Sequence, residues 1–235
     1  MPMKRLFTLW FSLSLLLTQS CIVSQTTYFH DARALPQGTG KVYLNASTGY
    51  RPDIIKSNTG STIASPSGSS ITIPVIGASG MYQLGSKSAI MGAAYMPVNL
   101  GCLGWRLGFQ QVLVSTTPFS LAAGVYGGYT FTLDSIKGIG LDGDTYFKNY
   151  SHADFFLPMT FRLGKESAIS LTPRYTFASF NLAEPYKSPD GLGGLSAEGK
   201  SLSLGLHVKH YLVEACWMMD MPVHLQLGIG YSLGR

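Results

Sequence analysis

Residues 155–177 read FFLPMTFRLGKESAISLTPRYTF. On either side of Gly164-Lys165-Glu166 every second position is apolar: Phe155, Leu157, Met159, Phe161 and Leu163 before it, and Ile169, Leu171, Tyr175 and Phe177 after it. Arg162, Ser170, Thr172, Arg174 and Thr176 occupy the other phase. A period of two belongs to a β-strand, whose side chains point alternately to opposite faces. The short break containing glycine joins the two runs as a hairpin. The stretch therefore predicts two antiparallel strands with one greasy face and one face that carries arginine.

The same plan recurs outward in both directions. Candidate strands are 41–51, 71–84, 88–97, 102–114, 119–133, 154–163, 167–178, 201–212 and 222–233, each near the nine to eleven residues of a tilted strand that crosses a bilayer. In 102–114, Trp105, Leu107 and Phe109 oppose Arg106 and Gln110; in 201–212, Leu202, Leu204, Leu206 and Val208 oppose His207 and Lys209. The last run sets Val223, Leu225, Leu227, Ile229, Tyr231 and Leu233 against His224, Gln226 and Ser232. Arg106, Asp154, Arg162, Arg174 and Lys209 all take the non-apolar phase, which random placement at period two gives roughly one time in thirty.

Composition says which face looks where. Hydrophobic residues make up 46% of the chain and charged ones 12%, about half the charged share of a soluble domain. Much of the surface must then face something other than water, yet the body of the chain has no unbroken apolar run near the roughly 18 residues of a spanning helix. Only helices and closed barrels satisfy every backbone group inside lipid. A soluble lipocalin-like binding barrel would wet its outer face with Lys, Glu and Asp. Here the polar phase is Gly, Ser, Thr and Ala with isolated Arg, which suits a crowded lumen. The expected fold is all-β: a closed antiparallel transmembrane β-barrel, apolar side out and polar side in. Nine candidates is an odd number where bacterial barrels are even, so eight or ten strands are expected. The long breaks 52–70, 134–153 and 179–200 and the tight ones 85–87, 115–118 and 164–166 predict outer loops at one end and periplasmic turns at the other.

The first residues, MPMKRLFTLWFSLSLLLTQSC, give a basic start at Lys4 and Arg5, an apolar run from Leu6 to Leu17, and a polar stretch ending at Cys21. This is the plan of a secretory signal, so residues 1–20 are expected to be the signal, 21–40 a periplasmic tether and 41–235 the barrel. Leu17-Thr18-Gln19-Ser20-Cys21 resembles a lipoprotein processing box, which implies lipidation at Cys21; acylation with two or three chains would hold the N-terminus firmly to a leaflet.

With the tag at Cys21, the lead-in ARALPQGTGKVYLNASTGY and the pair FFLPMTFRLGKESAISLTPRYTF, the chain resembles the small, often lipoprotein-tagged outer-membrane β-barrel proteins of Gram-negative bacteria. The resemblance covers nearly the whole chain and implies a place in the cell outer membrane, with membrane lipid and the barrel-assembly machinery as partners.

The net charge of +5, or +3 without Lys4 and Arg5, is too mild and scattered for nucleic acid. No cofactor or metal is expected. Gly138-Ile139-Gly140-Leu141-Asp142-Gly143 has the GxGxxG spacing, but no helix follows to meet a pyrophosphate. Asp142 and Asp144 lack the remaining ligands of a calcium loop. Some outer-membrane barrels are lipid-modifying hydrolases or acyltransferases, which need a serine activated by histidine; Ser151, His152 and Asp154 are the local candidates, and a solvated loop is the plainer reading of them. Three cysteines make no disulfide framework, and Cys102 and Cys216 are expected to be unbonded, at opposite ends of the barrel. Arg106, Asp154, Arg162, Arg174, His207 and Lys209 are the expected lumen-facing residues. Their plain reading is a set of partnered interior charges; a positive lumen would favour anionic solutes, though eight to ten strands enclose a space that side chains fill. The function expected is that of a non-enzymatic envelope scaffold, surface binder or narrow solute passage.

Overall fold

The structure is a computed structural model that describes residues 31–51, 54–56, 62–64, 70–71, 74–98, 102–138, 145–182, 194–218 and 225–233. The signal, Cys21, the GxGxxG stretch beyond Gly138, Asp142 and Asp144 lie outside them.

Ten strands run up and down: β1 (Gly40–Arg51), β2 (Val75–Gln83), β3 (Ser88–Pro97), β4 (Cys102–Ser115), β5 (Phe119–Gly138), β6 (Thr145–Phe156, continued by Met159–Arg162), β7 (Ser167–Leu182), β8 (Gly194–Val208), β9 (Tyr211–Met218) and β10 (Leu225–Leu233). Each pairs antiparallel with the next, and β10 pairs with β1 from Val42↔Leu233 to Tyr50↔Leu225. The sheet is therefore a closed barrel, and closure satisfies the edge groups that an open sheet would leave in lipid. A short ribbon of Ile54–Lys56 with Thr62–Ala64 belongs to the β1–β2 connection. Among the described residues no helix is long and apolar enough to cross a membrane.

Ten strands agree with the eight or ten expected, and one boundary is corrected. The run read as 201–212 is two strands, because the chain reverses at Lys209-His210, where Lys209 adopts φ +54°. Most of β9 falls in the gap between the candidate runs 201–212 and 222–233. Its side chains alternate as cleanly as the others: Tyr211, Val213 and Trp217 are exposed, while Leu212, Glu214, Cys216 and Met218 are buried.

The barrel is inside out relative to a soluble protein. Leu107 is 65% exposed, Leu204 55% and Ile229 56%, whereas Arg106 is 1% exposed and Asp154 is fully buried. Aromatic residues flank the aliphatic band. Near the short turns stand Tyr82, the Phe119–Phe161 pair at 4.9 Å and the Tyr211–Tyr231 pair at 5.4 Å; toward the long connections stand Trp105, the Tyr129–Phe131 and Tyr175–Phe177 pairs, and Trp217. Such girdles sit where a bilayer meets water.

At the end with short turns, Gly38 at φ +75° turns the lead-in onto β1, and its N–H donates to the Gln83 carbonyl at 2.9 Å. The lead-in is not an outlying tether over its described part. From Leu35 back to Asp31 it lies inside the barrel, with Ala32 fully buried against Val112 and Ala122, and Leu35 packed against the cluster of Met81, Ala89, Met91, Tyr126 and Phe156. The reason is volume: this half of the lumen is lined by Ala89, Ser120, Ala122, Ala168, Ser170 and Ser232, side chains too small to fill the space, and close packing demands an occupant.

Candidate functional site

The lumen is the site, and it has two tiers. The lower is the seat of the N-terminal segment. The Ala32 N–H donates to Thr160 Oγ1 at 2.9 Å, Gln110 Nε2 donates to the Asp31 carbonyl at 2.9 Å, and the Leu35 N–H donates to Gln83 Oε1 at 3.2 Å. These three bonds reach β6, β4 and β2, so the segment is fastened to several walls. Arg33 Nε bonds both carboxylate oxygens of Asp31, at 2.9 and 2.8 Å. Burial pushes the Asp31 carboxyl up, but the hydrogen bonds and charge of Arg33 outweigh it and hold the group below its ordinary 3.8. Beside the segment, Ser170 Oγ and His207 Nε2 stand 3.1 Å apart, and Gly205 leaves the room: a Cβ there would meet Ser170 Oγ at 2.4 Å.

The upper tier is a layer of buried charge. Arg106 lies between Tyr95 and Tyr126, its guanidinium carbon 5.5 Å from each ring centroid, in cation–π geometry. Tyr95 hydrogen-bonds Thr130 at 2.9 Å. Asp154 accepts from Thr176 Oγ1 at 2.5 Å and lies 3.8 Å from His152 Nε2. Arg174 donates from Nε to Ser201 Oγ at 3.0 Å and from Nη2 to Cys216 Sγ at 3.1 Å. Glu214 is buried in the same part of the lumen. Two buried arginines and two buried carboxylates thus share the lumen, and opposite charges held together lower the cost of burying each. Glycines make the layer possible. A Cβ on Gly104 would lie 2.2 Å from the Tyr95 ring, and one on Gly108 2.4 Å from that of Tyr126, so both tyrosines lie flat across the backbone of β4.

Of the expected lumen residues, Arg106, Asp154, Arg174 and His207 are buried inside. Arg162 and Lys209 are corrections. Arg162 keeps the inward phase but ends its strand segment and is exposed at the mouth. Lys209 sits in the β8–β9 turn, two-thirds exposed, with its Nζ 3.8 Å from Glu166. Ser151 points outward, away from His152 and Asp154, because neighbours on a strand face opposite ways. Cys102 and Cys216 are both free and buried. They are not at opposite ends as expected; they lie on β4 and β9, five strands apart around a ring of ten, hence on opposite walls. Glu214, Asp31 and Arg33 were missed, the first because β9 was. Among the described residues no three of His, Cys, Asp and Glu are grouped to hold a metal ion.

Comparison with protein-family models finds no match, and neither does comparison with curated protein sequences. Among solved structures, the chain is similar to an outer membrane channel from Pseudomonas putida F1, at 10% identity over 90% of this chain and 99% of the other, TM-score 0.48. It is also similar to the outer membrane protease OmpT from Escherichia coli, at 10% identity over 86% and 100%, TM-score 0.43, and to the attachment protein Ail from Yersinia pestis, at 10% identity over 84% and 99%, TM-score 0.29. The architecture described above rests on this chain's own strand pairing.

Proposed function

We propose that this chain is a non-enzymatic outer-membrane β-barrel, closed to solutes, that serves as an envelope scaffold presenting its long connections for surface binding. The observation that carries the reading is the doubly filled lumen: Asp31–Leu35 seated below, and the buried layer of Arg106, Tyr95, Tyr126, Asp154 and Arg174 above. A solute passage needs continuous water, and in both tiers buried side chains or the seated segment occupy the lumen. The girdled apolar exterior supports the membrane placement, and the start of β1 and the end of β10, both on the short-turn side, match the periplasmic side of such barrels.

The deciding experiment is planar-bilayer recording of the purified full chain. The expected result is no unitary conductance; a steady ohmic current would sink the closed reading and leave narrow solute passage in its place. A lipid-hydrolase reading draws on the Ser170–His207 contact, but both residues are buried in the lumen beside the N-terminal segment. A fluorophosphonate probe is accordingly expected to leave Ser170 unlabelled; labelling abolished by Ser170→Ala would restore the enzyme reading.

A further inference from the structure

Glu198 and Lys200, both on β8, are charged side chains at outward positions. Glu198 is engaged by the Tyr175 hydroxyl. Lys200 has no ion-pair partner among the described residues, and it lines a groove of about 720 Å³ in the outer wall of the barrel.

The groove has a structural cause. Phe109, Val125, Phe155, Tyr175 and Lys200 are paired in register, forming one row across β4 to β8. The next row toward the short turns is low: Ala123 offers one methyl group, and Pro173 lies opposite Leu202. The hydrogen-bond ladder also thins there. The Leu157 N–H donates to the Pro173 carbonyl and the Ala122 N–H to the Pro158 carbonyl, each at 3.0 Å. Neither proline can return a bond, since neither has an N–H. Between a tall aromatic row and a shallow one, the wall has a hollow that opens to the lipid.

Resting on the membrane-barrel reading, we infer that this groove seats an acyl chain of an anionic lipid of the surrounding bilayer, with Lys200 meeting its headgroup. The lining is almost wholly apolar, as an acyl chain requires, and Lys200 supplies the charge complement at the β8 end. Lys200 is eight residues above the β8–β9 turn in sequence, in the outer part of a crossing that takes nine to eleven residues. A lysine there reaches the headgroup level along its aliphatic stem. Its attraction for an anionic headgroup amounts to about fivefold local enrichment.

Trp217 reads the site, because it is exposed and pairs with Leu202 of the groove lining. The full chain carrying Trp10→Phe and Trp105→Phe is placed in phosphatidylcholine vesicles containing, at equal low mole fraction, brominated phosphatidylglycerol or brominated phosphatidylcholine. Stronger quenching of Trp217 by the phosphatidylglycerol is expected. Lys200→Gln removes the excess, and so does Ala123→Phe, which fills the groove while keeping the charge. Equal quenching by the two lipids, or an excess that survives both substitutions, overturns the inference while leaving the membrane barrel intact. If no brominated lipid quenches Trp217, the membrane reading falls and the inference with it.

Discussion

At the scale of single residues, the lumen works by giving large side chains the space of missing ones. Gly104 is the sharpest instance, since any Cβ would overlap the Tyr95 ring and push it off Arg106. Gly104→Ala is expected to cost about 1 to 3 kcal/mol, the usual price of overpacking, measured as a lower urea midpoint for unfolding from lipid vesicles. Asp31 gives a second expectation. Its carboxyl lies below its ordinary 3.8 when folded, so its contribution is fully present above that value and is lost as pH falls through the lower folded value. A spin label at Gln37 should therefore keep the same mobility from neutral pH down to about 4 and loosen only in stronger acid. Asp31→Asn should loosen it already at neutral pH, because Arg33 then lies half-buried without its counter-charge. A label that is mobile throughout would contradict the seated segment.

At the scale of elements, the period-two pattern left little choice of face. Lipid-facing and lumen-facing positions were legible wherever apolar residues alternated with Ser, Thr or Arg, as in β4, β7 and β10. Leu204, mid-crossing on β8, should tolerate charge poorly: Leu204→Arg is expected to cost about 2 to 4 kcal/mol, and Val208→Arg near the turn about 0 to 1, read by the same unfolding titration. Equal costs would mean that β8 does not span. What the sequence hid were features whose signals run against local habit. The β8–β9 turn holds Lys209 at positive φ, where glycine or asparagine is the usual marker, so two strands read as one and Lys209 acquired a lumen position it lacks. Ser151, His152 and Asp154 are adjacent in sequence, yet pleating parts the serine from the other two. The lower tier was hidden for another reason. Nothing in Asp31–Leu35 has a period, and only the small size of side chains on six distant strand positions reveals that something must lie between them.

At the scale of the whole molecule, the ring is joined by its extremes: β1 finds its second neighbour in β10, some 180 residues on. Removing Leu225–Leu233 takes away that neighbour and bares two edges at once. Such a truncation is expected to yield no folded barrel, seen as loss of the compact, heat-sensitive band on a gel run without boiling. A compact band from the truncated chain would mean that the ring closes in some other register.

That joint also sets a schedule. The strand made first must wait, unpaired on one side, until the strand made last has been synthesised and delivered, because its partner does not exist before then. Contacts so remote in sequence form slowly, and the waiting edge is sticky throughout. In a chain built this way the cost of a delay falls on the first strand rather than the last.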